Sequence, residues 1–133
     1  MSPEILIFVV EDEENIRVLL EHILEDAGFM VRVASSGEDA LARLDDDGAD
    51  FRAVVTDINL GGEVTGWDVA RRARELQAEL PIVYMSGGAS HEWTSLGVPG
   101  SVLVVKPFVP MQIVTALSTL LNNAIGAGSS APG

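Results

Sequence analysis

Apolar positions along this chain fall into two rhythms. Five short runs, Ile5–Val10, Met30–Ala34, Ala53–Thr56, Ile82–Met85 and Val102–Val105, are almost unbroken by polar residues. Strands covered by helices on both faces read this way, because neither side of the sheet meets water. The run with Arg32 is the exception, which places it at an edge of the sheet. Between the runs the apolar residues recur every three or four positions, the spacing of an amphipathic helix. Ile16, Leu19, Leu20, Ile23, Leu24 and Ala27 form one such stripe, and Gly28 is positioned to end it. Further helices are predicted over Glu38–Leu44, Trp67–Ala78, Ser90–Leu96 and Pro110–Asn122. Asp45–Asp47 read as a loop, and residues 125–133, rich in Gly, Ala and Ser, as a disordered tail after one domain over residues 1–124.

Strict alternation of strand and helix predicts a doubly wound α/β sheet. Ligands of such sheets bind beyond the carboxyl ends of the strands, so the residues that follow each run carry the functional question. Glu11 and Asp12 follow the first run, with Glu13 and Glu14 next. Asp57 follows the third, Ser86 the fourth and Lys106 the fifth, with Pro107 behind it. One edge of the sheet therefore gathers carboxylates, a hydroxyl and an ammonium.

Composition narrows the chemistry. The 133 residues carry 20 acids against 8 bases, a net charge of −12, and residues 1–50 hold 14 of the acids and three of the bases. Such a chain is a poor ligand for nucleic acid phosphates or anionic membranes. The longest apolar run is far short of the ~20 residues of a spanning helix, no secretory leader is visible, and a cytoplasmic protein is expected. There is no Cys, which removes disulfides, thiolate catalysis and Cys-based zinc sites. Seven of the bases are Arg; the one Lys is Lys106. A compact point charge that must meet a carboxylate suits Lys better than Arg. His22, on the polar side of its helix, and His91, in a polar stretch, read as surface residues. Arg71, Arg72 and Arg74 read as a solvated helix face beside Asp68, Glu75 and Glu79.

The acidic pair Glu11-Asp12, Asp57, Ser86 and Lys106-Pro107, at four successive strand ends, make residues 4–122 resemble the receiver domain of bacterial two-component response regulators. The resemblance implies a flavodoxin-like (βα)5 fold with strand order 2-1-3-4-5. It implies a phosphoacceptor role for Asp57, supplied by a histidine kinase or phosphotransfer protein, with Mg²⁺ as cofactor. Asp12 and Asp57 would be direct ligands, Glu11 a ligand through water, and the Asn59 backbone carbonyl the third protein ligand. Lys106 and Ser86 would contact the phosphoryl group, and a cis peptide at Pro107 would aim Lys106. The physics of the residues agrees with these roles. Converging carboxylates repel by about 4 kcal/mol per pair at 4 Å and an effective dielectric near 20, and a hard divalent cation relieves that repulsion. Such a domain catalyses its own phosphorylation and dephosphorylation and is not otherwise an enzyme. About ten residues follow the last predicted helix, so a stand-alone regulator is expected, acting on a protein target through helix four, strand five and helix five. The alternatives are a receiver segment of a hybrid histidine kinase, an interaction module that is never phosphorylated, and an aspartyl-nucleophile phosphatase. The last usually needs a second acid where Asn59 stands.

Three positions depart from the family pattern. Leu103 occupies the place of the usual switch aromatic, three residues before the Lys. Leu60–Gly66 lacks the usual Met-Pro pair and is one residue longer; its adjacent glycines predict a loop that orders on phosphorylation. Ser86 stands where Thr is commoner.

Overall fold

The computed structural model describes residues 4–87, 90–106 and 109–129. Its strands are β1 (Leu6–Val10), β2 (Met30–Ala34), β3 (Ala53–Asp57), β4 (Ile82–Ser86) and β5 (Val102–Val105). The helices are α1 (Glu14–Asp26), α2 (Gly37–Asp47), α3 (Gly66–Leu76), α4 (Ser90–Leu96) and α5 (Pro110–Ser129), with a 3-10 turn at Gly48–Asp50. All strands are parallel, in the order β2-β1-β3-β4-β5. This is the doubly wound order expected from the sequence, with the Arg32 strand at one edge.

Alternation along each strand feeds two cores. Phe8, Val10, Val54, Ile82 and Tyr84 pack with α2 and α3 residues such as Leu44, Val69 and Ala73. Ile7, Val9, Val55, Val83 and Met85 pack with Leu20 and Leu24 of α1 and Ile113, Leu117 and Leu121 of α5. All five residues of β3 are buried, as are all five of β4. Both strands run one residue further than the apolar pattern predicts, so Asp57 and Ser86 are the last residues of their strands.

Helix ends follow local chemistry where a cap is present. Gly28, at φ +98°, closes α1: its N–H donates to Glu25 O (3.0 Å) and that of Phe29 to Leu24 O (3.0 Å). This pairing satisfies carbonyls that the helix leaves open. Ser36 caps α2 by accepting from Asp39 N (3.0 Å). Thr65 and Asp68 form a reciprocal capping box at the start of α3.

Four expectations need correction. Asp45–Asp47 form the last turn of α2, since no breaker precedes Gly48. α3 stops at Leu76, where Gln77 leaves helical geometry and its side chain donates to Gly48 O (2.6 Å) and Phe51 O (2.8 Å). Leu19 and Ala27 lie off the buried stripe and are exposed, Ala27 as the residue that caps the end of α1. α5 continues past Asn122 to Ser129; Gly126 and Gly128 weaken a helix without blocking it, and the next proline is Pro132. The peptide bond at Pro107 lies outside the described residues. Among the described residues no helix is long and apolar enough to cross a membrane.

Candidate functional site

The parallel register brings four of the strand ends together. Asp57 pairs in register with Met85, and Ser86 with Val105. The Lys106 N–H donates to Ser86 O (2.7 Å), which extends the ladder to the lysine. Across the sheet, Glu11 N donates to Ala34 O (3.1 Å), so β1 is still held by β2 at the acidic pair.

Glu11, Asp12 and Asp57 each offer a carboxylate oxygen, and these oxygens lie within 4.8 Å of one another. Glu11 is fully buried, Asp57 is 6% exposed, and Asp12 faces solvent. Lys106 bridges the two buried ones, with Nζ 2.8 Å from Asp57 Oδ2 and 3.5 Å from Glu11 Oε1. Asp57 Oδ1 accepts from the Asn59 N–H at 3.3 Å. Glu11 Oε2 accepts from the Glu13 N–H at 3.0 Å, at the start of α1.

Burial pushes the Glu11 carboxyl up to about 7, against the hydrogen bond from Glu13; the charge on Asp57 and the contact with Asp12 push it further, while Lys106 pulls it back. Burial also works against the Lys106 ammonium, but its hydrogen bond and ion pair with Asp57, and its pairing with Glu11, hold it above the ordinary lysine range. One ammonium thus serves two of the three carboxylates, and burial first, then the neighbouring charge on Asp57, holds the Glu11 carboxyl above the ordinary carboxylate range. An all-oxygen donor set of this charge suits a hard divalent cation such as Mg²⁺.

Ser86 is buried at 3% exposure, at the end of β4. By strand alternation it shares a face with Tyr84, whose hydroxyl accepts from the Val98 N–H (3.1 Å). Leu103 stands beside Tyr84 in register. Ser101 Oγ donates to Val98 O (2.6 Å) and accepts from Trp93 Nε1 (2.8 Å). The α4–β5 connection is thus tied to β4 through a tyrosine on β4, while the β5 position is aliphatic.

A model of the response regulator receiver domain matches residues 7–118 of this chain. The chain belongs to the response regulator receiver family. Among solved structures this receiver is similar to a response regulator receiver protein from Sinorhizobium medicae, with 45% identity and a TM-score of 0.86 over 90% of this chain and 95% of that one. It is also similar to the chemotaxis response regulator CheY4 of Vibrio cholerae (25% identity, TM-score 0.77, 89% and 99% covered). NtrX from Brucella abortus matches at 29% identity and a TM-score of 0.84, covering 97% of this chain and 30% of that one. The response regulator SaeR of Staphylococcus aureus is 26% identical over 117 residues, 86% of this chain. The receiver spans half the length of SaeR.

Contacts that the linear pattern does not reveal surround these strand ends. Gly66 opens α3 directly against the strand end: a β-carbon there would overlap the Asp57 carbonyl oxygen. The Gly66 N–H donates to Ile58 O (2.8 Å), closing the loop 59–65 on itself. Gly37 leaves room for Val64 of that loop, Gly62 lies against the Glu38 carboxylate, and Gly61 adopts φ +80° beside Asp12. Within the loop expected to order on phosphorylation, the Gly61 N–H donates to Asn59 Oδ1 at 3.4 Å, and its far end is held at Gly66 and by the Thr65–Asp68 capping box. Arg17 of α1 donates to the Glu11 carbonyl oxygen at 3.0 Å. No sequence signal marks these contacts, because each depends on a neighbour distant along the chain or on a backbone group. His22 is exposed, as expected. Arg71 pairs with Asp68, and Arg72 with Asp45 and Glu75, on the surface, whereas Arg74 is half-buried and donates to Leu80 O at 2.7 Å rather than joining a solvated face. The side chain of His91 lies outside the described residues.

Proposed function

We propose that this receiver accepts a phosphoryl group from the phosphohistidine of a histidine kinase or phosphotransfer protein onto Asp57, and that the phosphoryl group biases a protein-binding surface. The observation that carries this reading is the placement of Asp57. It is a buried carboxylate at the end of a central strand, hydrogen-bonded to Lys106 at 2.8 Å and grouped with Glu11 and Asp12. In the transfer an Asp57 oxygen bonds to phosphorus as the donor's N–P bond breaks, and the imidazole nitrogen keeps the electron pair and is protonated. Lys106 turns from the carboxylate to the phosphoryl oxygens on which charge develops. Ser86 adds a hydroxyl donor at the neighbouring strand end.

Asp12 and Asp57 would hold Mg²⁺ directly, with the Asn59 carbonyl, and Glu11 would act through water. Bound there, the cation supplies a hard Lewis acid that neutralises the converging carboxylates and the phosphoryl oxygens. The output surface of this reading is the α4–β5–α5 side. There Val105, Val109 and Met111 are exposed, and a groove of about 450 Å³ runs between β5 and α5, lined by Val102, Val104, Met111 and Thr115 among others.

The test is labelling by a small phosphodonor such as acetyl phosphate. Stoichiometric, Mg²⁺-dependent labelling that Asp57→Asn abolishes is expected. Labelling that survives in Asp57→Asn, or none in the wild type, would overturn the reading. Rapid multiple turnover of phosphomonoesters would instead favour a phosphatase.

A further inference from the structure

Arg17 lies among acids, yet the structure does not use it as an ion-pair partner. Glu13 and Glu14 stand four and three residues before it and Glu21 four after, the spacings at which helical ion pairs form. Among the described residues, Arg17 makes no ion pair within 4.0 Å with any of these carboxylates. Its Nη1 donates instead to the main-chain oxygen of Glu11, at 3.0 Å. That oxygen belongs to the peptide that joins Glu11 to Asp12. From this one peptide the two carboxylates diverge, Glu11 into the interior and Asp12 towards solvent, and both return an oxygen to the same cluster. The segment has few other fastenings. Glu11 N is held by Ala34 O and Glu13 N by Glu11 Oε2, while Glu13, the N-cap of α1, makes no side-chain cap bond.

We infer that Arg17 is a positioning residue for the cation site: its guanidinium fixes the Glu11–Asp12 peptide plane and so aims both carboxylates. The inference rests on the cation-binding part of the function proposed above. A group that orients ligands without touching the ion acts on affinity, with losses of about 10-fold or more when it is removed. A group that acted only on the fold would change melting and leave affinity alone.

The experiment is calorimetric titration of the full chain with Mg²⁺ for wild type, Arg17→Gln and Arg17→Lys, with acetyl phosphate labelling over a range of Mg²⁺. Arg17→Gln is expected to bind Mg²⁺ about 10-fold more weakly, with a labelling rate at saturating Mg²⁺ close to that of the wild type. Arg17→Lys, which keeps one cationic donor, is expected to be intermediate, and it carries the test alone if Arg17→Gln does not fold. Mg²⁺ affinity within twofold of wild type in either folded variant would overturn the inference, whatever happens to the melting temperature. A wild type that binds no Mg²⁺ would remove the cation reading, and this inference with it. If the wild type binds Mg²⁺ and Arg17→Gln binds weakly while Asp57 is never labelled, the phosphoacceptor reading falls and the role of Arg17 stands.

Discussion

Glu11 is the residue in which the conflict between fold and site is clearest. Its backbone continues β1 and its side chain is wholly buried, yet it must share a cleft with two other carboxylates. Its carboxyl, at about 7 when folded against an ordinary 4.5, keeps a proton that the unfolded chain gives up. Between those two values the native state binds more protons than the unfolded state, so its stability falls as pH rises through the window. The metal-free protein is therefore expected to melt lower at pH 8 than at pH 5, with Glu11 contributing at most about 3 kcal/mol to the difference. Melting curves of Glu11→Gln should show a flatter pH dependence and, at pH 8, a higher melting temperature. An unchanged slope in that variant would mean that other groups set it. Lys106 offsets part of the same conflict, being among the described residues the one ammonium that reaches Asp57 and Glu11 together.

At the scale of elements, the site depends on how loops are fastened to strand ends. The β3–α3 loop is closed by the Gly66 N–H on Ile58 O and by the capping box of Thr65 and Asp68. Gly66→Ala would force a methyl into the carbonyl of Asp57 itself. Overpacking of this kind costs about 1–3 kcal/mol, and here the backbone that yields carries Asp57. Urea denaturation should show that loss, and acetyl phosphate labelling should slow with it. Wild-type labelling in Gly66→Ala would mean that the loop relaxes without moving Asp57. On the other side of the site, Tyr84 ties β4 to the α4–β5 connection through the Val98 N–H. Tyr84→Phe leaves that buried donor without its acceptor, at about 1–3 kcal/mol. Faster hydrogen exchange at the Val98 amide is the local measurement. Exchange as slow as in the wild type would show that another acceptor replaces the hydroxyl.

For the molecule as a whole, a net charge of −12 opposes compaction, and most of it is solvated surface. Salt screens that general repulsion over about 10 Å at 0.1 M, but a buried cluster is screened far less. A cation that binds only the folded site should therefore stabilise beyond the effect of ionic strength, by about 2.7 kcal/mol at a hundred times its dissociation constant. The expected outcome is a melting temperature several degrees higher in Mg²⁺ than in NaCl of equal ionic strength. Asp12→Asn should remove most of the difference. Equal melting in the two salts would argue against a cation site.

Much of this architecture was legible along the chain, for a local reason. A strand buried on both faces needs an unbroken apolar run, so the positions of β1, β3 and β4, and of Glu11, Asp57 and Ser86 at their ends, can be read without coordinates. Lys106 stood out as the chain's one lysine at the fifth such end. Helix ends were less legible where no cap or breaker marked them, as at Asp47 and Ser129. Only the tertiary structure decided which of the four acids after β1 turn inward, that Lys106 spans Asp57 and Glu11, and that Gly66 must lack a side chain. It alone showed that Arg17 holds a peptide rather than an acid. Each of these rests on a partner brought close by folding, 95 residues away for Glu11 and Lys106, or on a backbone group whose position no side-chain pattern records. Periodicity encodes burial, which is local; charge balance within a cleft is set by what the sheet register places across it.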